Sequence, residues 1–264
     1  MSDGLVVTVL GCGGSDGVPL IGGHGGQGAW GRCDPSEPRN RRSRASIHIT
    51  DGETGLLIDL SPDLRQQLLA NEIARIDAVL VTHEHADHTH GIHELRRLSS
   101  IAGHEIPIFT DELTSIALET RFGYVFAGSN GYRPNAVLKR IHAGDAFAVG
   151  TFDVTAFQQD HGFGNRTLGF RIGPVAYSTD VVELPETAFD VLAGVDTWIV
   201  DCVQETPHPT HANLERSLAW IERVRPRQAI LTHMGPQLDY QTLRSNLPDH
   251  VEPAFDGMVL NIPM

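Results

Sequence analysis

The chain has 264 residues, 41% of them hydrophobic, and a formal net charge of -13. That is enough apolar material to bury a core without staples, and so negative a field disfavours a broad nucleic-acid footprint. Its three cysteines, Cys12, Cys33 and Cys202, form no CxxC pair and are odd in number, which argues against a disulfide framework or a thiolate zinc knuckle.

An apolar run at Leu5–Gly11 predicts the first strand. It is preceded by Asp3 and by no basic residue, the reverse of a signal peptide, and no later stretch reaches the roughly 20 apolar residues of a membrane helix. The cytoplasm is therefore the expected location and no membrane partner is expected. The strand enters a Gly-rich loop, Gly11 to Gly31, that lacks both G-x-G-x-x-G spacing and a Gly-Lys-Ser/Thr ending. Arg39, Arg41, Arg42 and Arg44 follow. Strands are predicted at Ala45–Thr50 and Leu56–Asp59, joined as a hairpin. Ser61 and Pro62 then read as the N-cap and first position of a helix. Ile76–Thr82 predicts a buried strand that ends on His83-Glu84-His85-Ala86-Asp87-His88, with a helix over Thr89–Ser99.

Further strands are predicted at Ile106–Phe109, Val137–Ile141 and Phe152–Gln158, with a helix over Asp111–Phe122. His161 follows the third of these strands. Thr167–Ile172 and Val175–Ser178 form a hairpin through Gly173-Pro174, and Asp180 lies at its end. A helix over Phe189–Ala193, a strand at Thr197–Asp201, a helix over Ala212–Val224 and a strand at Gln228–Thr232 lead to His233. Met258–Ile262 closes the chain as a strand. There is no internal repeat, low-complexity tract or linker, so residues 1–264 are expected to form one α/β domain, a two-layered sheet core with helices outside.

His83, His85, Asp87 and His88 place four candidate ligands in six residues, on a loop between a strand and a helix. A loop can converge such side chains on two points, whereas one helical face or a flat strand cannot. Neutral imidazole and carboxylate are ligand types that zinc and manganese both accept. Four ligands cannot complete two sites. His161, Asp180 and His233 each stand just beyond an apolar strand, so they join the set. Asp59, at another strand end, is placed to hydrogen-bond a ligand histidine.

This pattern resembles the metallo-β-lactamase fold superfamily: His-x-His-x-Asp-His after a strand, then a lone His, a lone Asp and a terminal His. The resemblance implies an αββα sandwich of two mixed β-sheets flanked by helices. It also implies ligand roles. His83, His85 and His161 would hold one divalent ion, Asp87, His88 and His233 another, with Asp180 and a hydroxide bridging them. Asp180 is an aspartate where lactamases proper typically use cysteine. Together with Gly11-Cys-Gly-Gly-Ser-Asp-Gly-Val-Pro and His211 at a helix start, it points to the phosphodiester-cleaving branches. These are similar to the phosphoribosyl 1,2-cyclic phosphate phosphodiesterases and, more distantly, to the tRNA 3′-processing endonucleases. The sequence departs from the former in keeping one cysteine, Cys33, of a zinc-binding cluster, and from the latter in lacking a basic arm.

The expected activity is hydrolysis of a small cyclic phosphate or nucleotide-like diester by a dinuclear centre. Zinc is the expected metal and manganese the alternative. Asp87 and His211 are the catalytic candidates, His211 as general acid with His208 as its competitor, because imidazole titrates near neutrality. Arg39, Arg42 and Arg44 are candidates to bind substrate phosphate. The expected partner is a small phosphate ester, and the resemblance also raises a homodimer. The alternatives are a thioester or lactone hydrolase of the same fold, in which His211 has no evident task, and a non-catalytic binding protein of the fold.

Overall fold

A computed structural model describes residues 4–128 and 131–263. The first sheet is built from β1 (Gly4–Gly11), β2 (Ser46–Thr50), β3 (Gly55–Ile58), β4 (Ala78–Leu80), β5 (Ile106–Thr110) and β6 (Ala136–Arg140). The second takes β7 (Ala146–Val149), β8 (Phe152–Asp160), β9 (Arg166–Ile172), β10 (Val175–Ser178), β11 (Thr197–Asp201), β12 (Gln228–Thr232) and β13 (Val251–Pro253). The last strand, β14 (Met258–Pro263), returns to the first sheet and pairs with β1. The strand orders are β14-β1-β2-β3-β4-β5-β6 and β13-β12-β11-β10-β9-β8-β7.

Each sheet begins as an antiparallel meander and continues as parallel strands. Pairing is antiparallel up to β3 and parallel from β3 to β6 in the first sheet. It is antiparallel up to β10 and parallel from β10 to β13 in the second. The topology is thus repeated, although the sequence shows no repeat. Burial follows the pairing. The parallel strands β3, β4 and β11 are buried at every residue, as strands covered on both faces must be. Edge strand β14 alternates buried and exposed.

Side chains alternate along the first sheet to serve two cores. Leu56 and Ile58 of β3 and Ala78 and Leu80 of β4 face Ala156, Phe170, Tyr177 and Ile199 of the second sheet. Leu57, Val79 and Ile108 point outward under helices α1 (Leu64–Ala70), α3 (Leu95–Ala102) and α4 (Glu112–Ala127). The short α2 (Ala86–Thr89) lies within the histidine motif. On the other side α5 (Glu186–Leu192), α6 (Leu214–Val224) and α7 (Tyr240–Asn246) bury Ala188, Leu192, Trp220, Ile221 and Leu243 against the second sheet. This is the αββα sandwich that the resemblance implies. No helix among the described residues is long and apolar enough to cross a membrane.

Some local expectations are corrected. The first helix begins at Leu64, not beside Ser61, whose hydroxyl instead accepts from the Asp63 amide and shapes the turn before it. Thr89–Ser99 is not one helix. A 3-10 turn at His90–Glu94 separates α2 from α3, because Gly91 packs against the Ser61 and Leu60 carbonyls with no room for a side chain. Strands β7 and β13 and helix α7 were not expected from the sequence. They are short and owe their form to pairing with long neighbours, and α7 to its Asp239 cap on the Thr242 amide.

Leu80 is fully buried between the sheets. Leu80→Ala is expected to lower stability by about 2–5 kcal/mol in denaturant titration. Val259→Ala, on the exposed face of β14, should shift it by less than about 1 kcal/mol.

Candidate metal centre

The parallel strands of both sheets deliver their C-terminal ends to one place. β4 leads through Val81 and Thr82 into His83, β10 leads to Asp180, β11 ends in Asp201 and β12 leads to His233. His161 follows β8. At two of these ends, and at Asp59 just beyond β3, the backbone turns through the left-handed region without glycine: Asp59 at φ 66, Asp180 at φ 53 and His233 at φ 56. Such a turn stops the strand abruptly and swings the side chain out of the pleat. It costs about 1–3 kcal/mol and persists where the surroundings over-determine it.

Two overlapping groups result. Ligand atoms of His83, His85, His161 and Asp180 lie within 4.8 Å of one another, as do those of Asp87, His88, Asp180 and His233. Asp180 belongs to both. These are the seven residues expected from the sequence, in the two expected sets. Their donor atoms are close without being hydrogen-bonded. His83 Nε2, His88 Nε2, His233 Nε2 and Asp87 Oδ2 are buried and have no hydrogen-bond partner among the described residues. Yet His88 Nε2 is 3.0 Å from Asp180 Oδ1, and His233 Nε2 is 3.2 Å from the same oxygen. Orphaned polar atoms of this kind are costly unless something charged sits among them. The donor set is imidazole and carboxylate, and it fits a divalent cation.

The ring nitrogens facing away are committed. His88 Nδ1 bonds Asp59 Oδ2 at 2.7 Å, His161 Nδ1 donates to the Thr210 carbonyl at 2.8 Å, and His83 Nδ1 meets Thr82 Oγ1 at 3.0 Å. A proton held on Nδ1 of His88 and His161 leaves the Nε2 lone pair free for the centre. Asp59 also accepts from the Thr82 amide at 2.8 Å and from its hydroxyl. The role foreseen for Asp59 is the one its geometry allows.

Asp201 is the functional residue that sequence reasoning passed over. It is fully buried, accepts from the Val181 amide at 3.0 Å and meets His211 Nδ1 at 3.1 Å. Its other oxygen lies 3.8 Å from His233 Nδ1. The available signal was its position, since Thr-Trp-Ile-Val-Asp201 ends an apolar strand in aspartate as Leu-Leu-Ile-Asp59 does.

His211 is buried with its Nε2 3.8 Å from Asp180 Oδ2. Burial works against its charged form, but the Asp201 carboxylate outweighs it and holds the imidazole up to about 9. His208 stands beside it, ring centroids 5.1 Å apart, and accepts the Thr210 amide proton on Nδ1 at 3.3 Å.

The arginines differ from expectation. Arg42 is 2% exposed and its guanidinium donates to the Gly235 and Leu238 carbonyls at 3.1 and 2.7 Å. It pins the segment after His233 to the Gly-rich loop, because a buried guanidinium must be satisfied by fixed acceptors. Arg39 pairs with Glu37 at 2.7 Å and stacks over Tyr240 at 4.2 Å. Arg44 pairs with Asp63 at 3.0 Å in a separate cavity of about 540 Å³, which shares only Asp16 and Gly17 with the cavity at His233. None of the three is brought into the histidine cluster.

Asp59→Asn keeps the shape and removes the charge behind His88. It is expected to weaken divalent-metal affinity by about 10–100-fold in chelator competition, with the fold retained by circular dichroism.

Residues 54–234 match the β-lactamase superfamily domain. An octanoyltransferase of Porphyromonas gingivalis is 30% identical over 256 residues, covering 95% of this chain and 50% of that protein. The chain thus spans about half the length of that relative. A solved diphosphatase of the PhnP family is 31% identical and superposes with a TM-score of 0.88 over 98% of both chains. Zinc-bound PqqB from Methylobacterium extorquens shares the fold at 20% identity and a TM-score of 0.78, over 97% of this chain and 100% of that one. Human tRNase Z, short form, shares it at 17% and 0.69, over 98% and 100%. Fold, strand-end His/Asp clusters and sequence agree, and the chain belongs to the β-lactamase superfamily, with a metallo-hydrolase fold and His/Asp clusters that could hold a divalent metal.

Proposed function

We propose that the protein is a phosphoric diester hydrolase acting on a small cyclic or nucleotide-like phosphate. In this reading His83, His85 and His161 would hold one divalent cation and Asp87, His88 and His233 a second, with Asp180 shared between them. Two cations there would acidify a water and neutralise charge on the phosphate oxygens, zinc and manganese both suiting the donors. The protein's own groups do the rest. Asp87 is the candidate to take a proton from the attacking water, through the carboxylate oxygen that a cation would leave free. His211, oriented by Asp201, gives a proton to the leaving alkoxide from Nε2. General acid help of this kind is worth about 10²–10⁴ in rate.

The observation that carries the reading is His211 with its Asp201 brace. An alkoxide leaves poorly unless protonated, whereas a thiolate leaves without a proton. A thioester hydrolase would have no use for a buried imidazolium beside the metal ligands. The PhnP-family neighbour, named a diphosphatase, also points to cleavage at phosphorus.

Metal-loaded protein should hydrolyse bis(p-nitrophenyl) phosphate, lose the activity on chelation and regain it with Zn²⁺ or Mn²⁺. No turnover under these conditions would overturn the proposal. His211→Ala is expected to lower kcat on diesters with poor leaving groups by about 10²–10⁴-fold and to leave thioester turnover nearly unchanged.

The pH profile tests the acid directly. The protonated form of His211 is the active one, so rate should fall as pH rises through its pKa. The cations would bring that pKa down from about 9 by like-charge repulsion. Removing the neighbouring carboxylate removes the force that raises it, so Asp201→Asn should move the descending limb to lower pH. A limb unmoved in Asp201→Asn and still present in His211→Ala would assign the proton to another group.

A further inference from the structure

His211 stands where two cavities meet. One, of about 420 Å³, is lined by Glu183, His208, Asn213, Glu215, Arg216 and Trp220. The other, of about 230 Å³, runs along Gly14 to Gly17, Leu20, His233, Pro236 and Gln237. His208 and His211 are the only residues that line both. A phosphate seated at Asp180 and His211 therefore has an open arm on each side.

The charges of the arms say what each can take. In the larger arm Arg216 is bound to the Val182 carbonyl and lies 3.4 Å from Glu183. Glu215 adds a second carboxylate there, so the arm sets two carboxylates against one guanidinium and disfavours another phosphate. It has instead an indole wall, carboxylate acceptors and the Asn213 amide. The smaller arm offers glycine backbone, Ser15, Gln237 and the carboxylate of Asp16, and no arginine or lysine. Both arms suit uncharged substituents bearing hydroxyls or amides. Between them, His208 accepts the Thr210 amide on Nδ1, so its neutral ring keeps its proton on Nε2 as a donor at the junction.

We propose that the substrate is a linear phosphodiester with two uncharged polar substituents, such as nucleoside or sugar groups, one in each arm across His208 and His211. The inference rests on the diester reading above and narrows it. A cyclic phosphate, closed on itself, would leave one arm unused, and a substituent ending in its own phosphate would meet carboxylates.

Two exposed residues allow each arm to be filled without disturbing the metal ligands: Ala219 on α6 and Gln237 beyond His233. In metal-loaded wild-type protein, kcat/KM on the p-nitrophenyl ester of thymidine 5′-phosphate should exceed that on methyl p-nitrophenyl phosphate by roughly tenfold or more. Of Ala219→Trp and Gln237→Trp, the one that fills the arm holding the thymidine group should remove that advantage, and the other should lower turnover of both esters by crowding the nitrophenyl group. Binding gives a readout without turnover. Each variant should weaken diphenyl phosphate by roughly tenfold in calorimetry and leave dimethyl phosphate unchanged.

The proposal is overturned if either variant keeps wild-type affinity for diphenyl phosphate, or if wild-type protein does not bind it. Faster turnover of a 2′,3′-cyclic nucleotide than of the thymidine ester overturns it as well. Arm-dependent binding without any diester turnover would remove the catalytic reading alone, whereas turnover indifferent to both variants would remove only this one.

Discussion

The structure turns on how four buried carboxylates are neutralised. Asp59, Asp87, Asp180 and Asp201 are each no more than 7% exposed, and all lie among histidines. An uncompensated carboxylate in such a place costs several kcal/mol. The protein meets this in two ways. Asp59 is satisfied from within by the Thr82 amide and hydroxyl and by His88 Nδ1, and Asp201 through one oxygen by the Val181 amide and His211 Nδ1, its other oxygen facing His233 Nδ1 at 3.8 Å. Asp87 and Asp180 face Nε2 atoms that lack hydrogen-bond partners, an arrangement that divalent cations would complete. The first pair makes a rigid frame, and the second pair makes a site.

The frame reaches both sheets. Asp59 follows β3 of the first sheet and braces the loop after β4. Asp201 ends β11 of the second and braces the backbone after β10, the His211 ring and the approach to His233. Because each sheet repeats the same passage from antiparallel meander to parallel strands, parallel strand ends from both sheets meet at one place. Asp59 and Asp180 stand at matching points of the two passages, after β3 and β10, and both adopt left-handed backbone. Strain at these points is held by the fully buried strands behind them, whose side chains have no room to relax.

Rigid support of this kind suits chemistry at phosphorus. Electrostatic stabilisation of a crowded, highly charged transition state needs donors and cations that do not reorganise as charge develops. In the proposed reading, loops on either side, Gly14–Gly17 with Pro236 and the Pro207–Asn213 segment, would shape what is attached to a phosphate without touching the charge balance at its centre.

Much of this was legible in the chain itself. Uninterrupted apolar runs such as Leu-Leu-Ile and Trp-Ile-Val announce strands buried on both faces, and a histidine or aspartate just beyond such a run is a short-range signal. His83, His85, Asp87, His88, His161, Asp180 and His233 could be named from it, as could Asp59. The pairing of ring nitrogens, the brace at Asp201 and the loss of Arg42 to the core could not. Asp201 reads like any strand-end carboxylate until β10 and α6 bring Val181 and His211 to it. Arg42 reads like a phosphate ligand until the segment after His233 folds back over it with two carbonyls. Local sequence determined which groups stand at strand ends, because side-chain periodicity and turns are short-range. Which of them face one another is a matter of contacts across 10 to 196 residues, and only the packing of the two sheets decided it.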